Sequence, residues 1–285
     1  MDKIKLNQIN PVIKRYKNES KLLSPNLLKY NNYYYMFFCS REINKSRYGK
    51  INMAYSKDLE TWERESKFEI SPNIINYDCL SLVSPDYIKF NNKHIIFLEA
   101  QKDKDRNLIC IESQDFINWK INKTFLKNNY NSFYQSPHTI IKEDNIYIFY
   151  SKDQKKIVCE ILDKDFKSLE VYEALKADKY NENYNIYSPS IIKINKKYFM
   201  FYSAWNDAET GNINVAVSQD LKKWDKVCTD LFILNEKINI ISELNASIIE
   251  NKLVFFFEYK SLNNWDLGNI TLPYTYFIDL DVQKK

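Results

Sequence analysis

The stretch Ser188-Pro189-Ser190-Ile191-Ile192-Lys193 decides the architecture, because versions of it recur along the chain. It is followed by a polar turn, Asn195 to Lys197, and by the apolar run Tyr198 to Tyr202. Similar openings begin at Ser24, Ser84 and Ser136, and a fifth, without the proline, begins at Asn245. Successive openings lie 52 to 60 residues apart. Repeats of about this length indicate a solenoid, a propeller or an array.

Each repeat has the pattern of a four-stranded unit. The opening and the apolar run after it are joined by a short Asn-rich turn, which is typical of a β-hairpin. A third strand follows, as in Ile213 to Val217, and then a marker of Asp, an apolar residue and Trp, as in Asp220 to Trp224. The marker also occurs at Asp58 to Trp62 and at Asp115 to Trp119, and we interpret its Trp side chains as core residues. Four strands in about 50 residues, repeated, predict the blades of a β-propeller.

The predicted fold is all-β: a five-bladed β-propeller with four-stranded antiparallel blades that begin near residues 24, 84, 136, 188 and 245. After Glu258 only one further strand, Tyr274 to Leu280, is convincing. We expect the missing strand to come from Pro11 to Tyr16, so that an N-terminal strand closes the ring and removes open sheet edges. No linker or shift of composition divides the chain, so residues 1–285 are expected to form a single domain.

Composition excludes several classes of function. The chain is 45% hydrophobic, which argues against disorder, and its net charge of +4 comes from interleaved signs rather than a basic stripe, so we expect no nucleic-acid partner. Its apolar runs are too short to span a membrane, and its start lacks the pattern of a secretory signal, so we expect a cytoplasmic protein. Five cysteines without a CxxC pair and only two histidines predict no disulfide framework, metal site or cofactor. The sequence carries no signal of oligomeric state.

The repeat resembles that of a known enzyme group. A five-fold repeat that opens with x-Pro-x-Ile-Ile and ends with Ser-x-Asp-Leu-x-x-Trp, as in Ser218 to Trp224, resembles the five-bladed propeller glycosidases. The nearest resemblance is to glycoside hydrolase family 43, with the invertase and levansucrase group more distant, and it spans nearly the whole chain. It implies a catalytic base, a tuning Asp and a catalytic acid where the innermost strands begin. The corresponding positions here hold Ser24, Ser136 and Tyr187, so the usual catalytic carboxylates are replaced.

An enzyme of this fold would need carboxyl groups elsewhere on the same rim. Glycoside hydrolysis generally uses two of them, one to protonate the leaving oxygen and one to activate water or attack carbon. Asp86, one residue past Pro85, and Glu243, two residues before the fifth opening, are the candidate catalytic pair. Asp86 has a structural alternative, because an Asp at a turn often caps nearby backbone N–H groups.

Other polar residues of this rim are candidates for binding substrate: Ser24, Asn26, Arg41, Glu99, Ser136, His138, Tyr187, Ser190, Trp205, Asp207 and Glu258. We expect Asn26, Asp86, His138, Ser190 and Ser247 to form one polar column on the innermost strands. Glu99 and Glu258 end second strands, where other repeats hold Ser40, Ser151 and Ser203. Trp205 has the chemistry to stack on a sugar face, or alternatively to pack on a neighbouring blade.

Two functions remain open, and both predict a carbohydrate as the partner. The first is a glycoside hydrolase-like enzyme that acts in the central cavity with non-standard acid and base residues. The second is a catalytically inactive propeller that binds a glycan or a sugar nucleotide. A scaffold that binds protein on its outer faces is a third hypothesis, and fold analogy alone does not choose among them.

Overall fold

The structure is a computed structural model that describes residues 2–6, 9, 11–127, 133–261 and 264–281. The described residues form an all-β fold, as the sequence predicts. Their helices are two 3₁₀ segments, Tyr180–Glu182 and Tyr274–Asp281. Among the residues the structure describes, no helix is long and apolar enough to span a membrane.

Antiparallel pairing among the described strands gives five consecutive groups, numbered one to five along the chain. Groups two and three are separate sheets, and single parallel pairs, Gly211 with Ile240 and Lys21 with Trp265, join groups four, five and one into one 11-stranded sheet. Group one contains Glu19–Tyr30, Tyr33–Glu42, Lys45–Ser56 and Glu63–Arg64. Group two contains Ser81–Phe90, Lys93–Lys102, Asp105–Ser113 and Lys120–Lys127. Group three contains Tyr134–Lys142, Asn145–Lys152, Lys156–Leu162 and Ser168–Lys176. Group four contains Asn185–Ile194, Lys197–Trp205, Gly211–Ser218 and Asp225–Cys228. Group five contains Ile238–Ile249, Lys252–Ser261 and Asn264–Pro273. A separate short pair, Ile4–Lys5 and Phe232–Ile233, is parallel.

Each first strand is interrupted by a β-bulge at its opening. The residue in the bulge has a positive φ, which is uncommon for a residue other than glycine. These bulge residues are Ser24 (φ 55), Ser84 (φ 49), Ser136 (φ 47), Ser188 (φ 51) and Glu243 (φ 45). The fifth opening therefore begins at Glu243, with Leu244 in the place of the proline, and the predicted start at Asn245 is wrong by two residues.

The side chain two residues after each bulge residue reaches the first strand of another group. We call Asn26, Asp86, His138, Ser190 and Asn245 the inner column; Asn245 takes the place that the sequence analysis gave to Ser247. Four members accept a backbone N–H: Asn26 Oδ1 accepts from Tyr87 N (3.1 Å), Asp86 Oδ2 from Thr139 N (2.8 Å), Ser190 Oγ from Ala246 N (2.9 Å) and Asn245 Oδ1 from Leu27 N (3.1 Å). The fifth, His138, donates from Nε2 to Ile191 O (3.2 Å). The contacts thus run from group one through group five and back to group one.

Two predicted strands do not form. Pro11 to Tyr16 is irregular, and its backbone meets the third strand of group five through one hydrogen bond, from Val12 N to Leu267 O at 2.9 Å. Pro11 has no N–H to donate, which removes one bond of a ladder. Tyr274–Asp281 is a 3₁₀ helix rather than a strand, and it buries Phe277 against the apolar core.

The repeated marker at the end of the third strand holds neighbouring groups together. In group four the Asp220 carboxylate accepts hydrogen bonds from Lys222 N (2.8 Å) and Lys223 N (2.9 Å), which fixes a tight turn. The turn directs Trp224 toward group three, where its ring lies 6.0 Å from that of Phe149. Trp62 and Trp119 likewise pack against the apolar core, which confirms their interpretation as core residues.

The register of the fifth opening can be tested by Asn245→Ala. Loss of its side chain leaves the Leu27 N–H without its acceptor, and an unsatisfied buried donor costs about 1–3 kcal/mol. We expect the melting temperature to fall by several degrees. Ser247→Ala is the matched control on the same strand, with an expected change in unfolding free energy within about 0.5 kcal/mol. A larger loss in Ser247→Ala than in Asn245→Ala would restore the register predicted from the sequence.

Candidate functional site

The first strands of all five groups surround one small central cavity. Its volume is about 30 Å³, and it is lined by the bulge residues, the inner column and the residues between them. Such a volume holds about one or two water molecules, and a sugar ring does not fit. We call the end of this cavity at which the first strands begin and the second strands end the mouth.

Asp86 is 3% exposed and engages both carboxylate oxygens. Oδ1 accepts from Asn26 Nδ2 at 3.1 Å and lies 3.2 Å from His138 Nδ1, while Oδ2 accepts from the backbone and the hydroxyl of Thr139. His138 Nε2 donates to the backbone carbonyl of Ile191 at 3.2 Å. Asp86 and His138 thus tie groups one, two, three and four together, which favours the structural alternative for this carboxylate.

Glu243 crosses the cavity from group five to groups one and two. Its carboxylate oxygens lie 3.2 and 3.4 Å from Ser84 Oγ, and the hydroxyl of Ser24 donates to it as well. Ser84 Oγ in turn lies 3.2 Å from Ser136 Oγ. Glu243 is therefore the equivalent, on group five, of Ser24 and Ser136, the positions where the family resemblance expects carboxylates. The sequence analysis placed Glu243 two residues before the fifth opening, whereas the bulge shows that Glu243 is the first residue of that opening.

Glu99 and Glu258 occupy equivalent places near the ends of second strands. Each accepts a hydrogen bond from the bulge residue of the next group. Glu258 Oε2 accepts from Ser24 N at 3.2 Å, and Glu99 Oε2 accepts from Ser136 N at 3.2 Å. Ser203 Oγ does the same for the backbone N–H of Glu243 at 2.9 Å. Each of these side chains thus satisfies the donor of a bulge residue.

The group-one equivalent of these residues is Cys39 and not Ser40 as predicted. Leu23 pairs with Cys39, as Val83 pairs with Glu99. The sequence analysis was shifted by one residue, because the apolar run Tyr33 to Cys39 shows no alternation that would fix which side chains face the cavity.

Burial sets the charge of the acids at the mouth. Desolvation raises the pKa of Glu243 well above its usual value, and the neighbouring carboxyl of Glu258 raises it further. Desolvation also raises the pKa of Glu258 to about 7, although hydrogen bonds from Ser242 and Ser24 and the charges of Arg41 and Lys21 oppose it. Near neutral pH the pair therefore retains a proton.

Tyr187 stands where the resemblance expects the catalytic acid. It is 7% exposed, and its hydroxyl bonds to Ser242 beside the two glutamates. Desolvation raises the pKa of this phenol well above its usual value, so it is a weaker acid than an ordinary tyrosine. Tyr187 therefore occupies the position of the catalytic acid but is too weak an acid to donate a proton in its place.

Aromatic rings cover the mouth beside Tyr187. The ring of Trp205 is stacked with Trp265, at 6.3 Å between centroids and 7° between planes, and with Tyr184 at 6.5 Å and 27°. The predicted Trp205 thus lies in a stack of three rings. The sequence analysis missed Trp265 and Tyr184, because Trp265 belongs to the irregular fifth repeat and Tyr184 to the segment between groups three and four.

The remaining predicted residues are spread over the mouth. Arg41 Nη2 donates to Gln101 Oε1 at 3.0 Å and joins groups one and two. Asp207 is exposed and caps its own turn through Glu209 N and Thr210 N, bonds that lower its pKa. The structure brings together Ser24, Ser136, Glu99, Glu243, Glu258 and Tyr187 around the acids, and Asn26, Asp86, His138 and Ser190 in the inner column. The described residues contain no cluster of His, Cys, Asp and Glu placed to hold a metal ion.

Comparison with known proteins supports the fold. The sequence matches no protein-family model and no curated protein. The structure is similar to that of a thermostable family-43 glycoside hydrolase, with a TM-score of 0.74 and 18% identity over 89% of this chain and 90% of that one. It is also similar to the native arabinanase of Bacillus subtilis (TM-score 0.66, 17% identity, 90% of this chain and 97% of that one). A third similar structure is the catalytic domain of the Coprinopsis cinerea GH62 α-L-arabinofuranosidase (TM-score 0.71, 11% identity, 92% and 95%). The resemblance to propeller glycosidases is therefore confirmed at the level of fold.

The raised pKa of Glu258 predicts a pH-dependent effect of Glu258→Gln. The folded value of about 7 exceeds the ordinary 4.5, so the unfolded chain ionises first and wild-type stability falls as pH rises between these values. Removing the carboxylate removes this loss, so the melting temperature of the variant relative to wild type should be higher at pH 8 than at pH 5.

Glu99→Gln is the matched control, because Glu99 holds Arg106 in an ion pair at 2.7 Å. Loss of that buried partner should lower the melting temperature at both pH values. Equal shifts of Glu258→Gln at pH 5 and pH 8 would contradict the raised pKa.

Proposed function

We propose that this protein binds a carbohydrate at the mouth of a ring-closed, five-bladed β-propeller and does not hydrolyse a glycosidic bond. Each strand group is one blade, and residues 1–285 form one domain. The inner-column contacts support the ring, because the last of them joins Asn245 of group five to Leu27 of group one. The Arg15–Asp266 ion pair at 2.7 Å supports closure from the N-terminal side.

The observation that carries the proposal is the size and use of the cavity. A glycosidase places a sugar ring between two carboxyl groups that are about 5–9.5 Å apart. Here the cavity is about 30 Å³, and Glu243 already reaches the serines on its other side. Asp86, Glu99 and Glu258 are each less than 5% exposed and accept hydrogen bonds from backbone N–H groups of other blades. The acids stabilise the fold in the place where catalysis would need them free.

The chemistry of the mouth favours a sugar as the ligand. Sugars combine apolar faces, which stack on aromatic rings, with hydroxyl groups that donate and accept hydrogen bonds. At the stack of Tyr184, Trp205 and Trp265, two buried polar atoms lack partners among the described residues: Trp205 Nε1 and Oδ1 of Asn185, which pairs with Trp205. Buried polar atoms normally have a partner, so a polyhydroxylated ligand or ordered water suits this surface.

A second candidate function is glycoside hydrolysis with Glu243 as the general acid. The observation in its favour is the raised pKa of Glu243, because a general acid must hold its proton near neutral pH. This function requires Glu243 to turn out of the cavity toward the mouth.

Binding and hydrolysis can be separated with a glycan array and a panel of aryl glycosides. We expect wild-type protein to bind a glycan and to release no aryl alcohol. Trp205→Ala should weaken binding by about tenfold or more, which corresponds to about 1.4 kcal/mol, because it removes the ring on which both Trp265 and Tyr184 stack. Ile117→Ala, which alters an exposed side chain beyond the third strand of group two, is the control and should bind as wild type does.

Hydrolysis of any member of the panel would contradict the binding proposal. If Glu243→Gln then abolished turnover but left binding intact, Glu243 would be the acid and the second candidate would replace the first. Thermal unfolding of each variant shows whether a loss reflects the site or the fold.

A further inference from the structure

The strand register places three cations and a tryptophan side by side at the mouth, across groups one and five. Lys21 is the Cα partner of both Arg41 and Trp265, and Lys260 is the partner of Trp265 from the other side. Paired residues on adjacent strands point to the same face of a sheet, with Cβ atoms about 5 Å apart. Arg41, Lys21, Trp265 and Lys260 thus form a continuous row, which we call the cationic row.

The row continues into group four without a break in pairing. Ile240 is the partner of Lys260 and of Gly211, and Gly211 is the partner of Trp205. A Cβ on Gly211 would lie 2.8 Å from Trp205 Nε1, so the absence of a side chain there lets the indole lie across the strand. The indole then meets Trp265, and the unpartnered Asn185 Oδ1 lies next to it, since Asn185 pairs with Trp205.

Lys21 and Lys260 place two positive charges side by side in the cationic row, and the nearest opposing carboxyl is that of Glu258. Among the described residues, no carboxylate oxygen forms an ion pair with Lys21 or Lys260; Lys21 Nζ instead lies 5.8 Å from the centre of the Trp265 ring. Burial lowers the pKa of Lys21, and repulsion by Arg41 and Lys260 lowers it further, although the charge of Glu258 opposes this shift. A bound anion would relieve this repulsion.

We propose that the mouth binds a carbohydrate bearing an anionic group, a carboxylate or a phosphate, with Lys21 and Lys260 against the anion and Trp205 and Trp265 against the sugar. The inference deepens the proposed function and rests on it. A carboxylate and a phosphate both accept the charge-assisted hydrogen bonds that lysine donates. The unpartnered Asn185 Oδ1, which is an acceptor, would take a sugar hydroxyl.

The acids below the row support the proposal through their protonation. Glu258 faces Lys21 and Arg41 and lies beside Glu243, Tyr187 and Cys39. With its pKa raised to about 7, it is largely neutral at pH 6 and ionised at pH 8. Once ionised it repels an anionic ligand and competes for the same cations. Anion binding should therefore be tighter at pH 6 than at pH 8.

The test is calorimetric titration with two matched pairs of ligands: tetragalacturonic acid and its methyl ester, and glucose 1-phosphate and glucose. We expect at least one acid to bind about tenfold or more tightly than its neutral counterpart, and to weaken as salt rises. Lys21→Gln and Lys260→Gln should each reduce that preference about tenfold, by weakening binding of the acid more than binding of its neutral counterpart. Lys164→Gln, at an exposed turn of group three, is the control and should change neither.

The outcomes separate this inference from the function on which it rests. A preference for the carboxylate pair or for the phosphate pair alone identifies the anion. Equal binding of charged and neutral ligands, lost in Trp205→Ala but not in Lys21→Gln, overturns the anionic preference and leaves the carbohydrate-binding proposal standing. Retained preference in both lysine variants also overturns it. If none of these four ligands binds and no glycan of the array binds, both proposals are overturned.

Discussion

The central constraint on this molecule is the bulge at the start of each innermost strand. A residue other than glycine is held there at positive φ, which costs of order 1–3 kcal/mol and persists only where surrounding contacts fix it. Each bulge turns a backbone N–H away from its own ladder, and a buried donor needs an acceptor. Glu258 supplies one for Ser24, Glu99 for Ser136, and Ser203 for Glu243. The neighbouring group thus determines whether these three bulges are satisfied, which couples the groups to one another.

This constraint explains why carboxylates gather at the centre without forming a catalytic pair. An acid that accepts a backbone N–H has one oxygen committed, and Glu258 has its second oxygen committed to Ser242. Two buried carboxyl groups cannot both ionise cheaply, so Glu243 and Glu258 retain a proton near neutral pH. A raised pKa is a property of general acids, but burial and the neighbouring carboxyl produce it here, and it is therefore weak support for catalysis.

The sequence predicted the repeat well and the register of its irregular copy poorly. Ser and Pro mark four openings, and the chain folds as these markers predict. In the fifth copy the proline is replaced by Leu244, so Ile248-Ile249 was aligned with Ile191-Ile192 of the fourth copy. That alignment is shifted by two residues from the one in the structure. Pro11 to Tyr16 had a strand-like composition, yet side-chain contacts of Arg15 anchor it without a ladder. Site residues contributed by a single repeat, such as Glu99 and Arg41, were found, whereas Lys21 and Trp265 were missed because the cationic row exists only across strand groups.

Positions at which the repeats differ most are those at which the fold demands least. Two residues beyond Cys39, Glu99, Ser151, Ser203 and Glu258 the five repeats hold Arg41, Gln101, Asp153, Trp205 and Lys260. The set that begins with Cys39 lies beside the bulges, and three of its members accept N–H groups of bulge residues. The members of the set that begins with Arg41 have no chemical property in common. A position that carries a cation, an amide, an acid or an indole in equivalent structural settings is not dictated by packing. Its cations lie on groups one and five, so a ligand that carries negative charge at one end would place that end over these two groups.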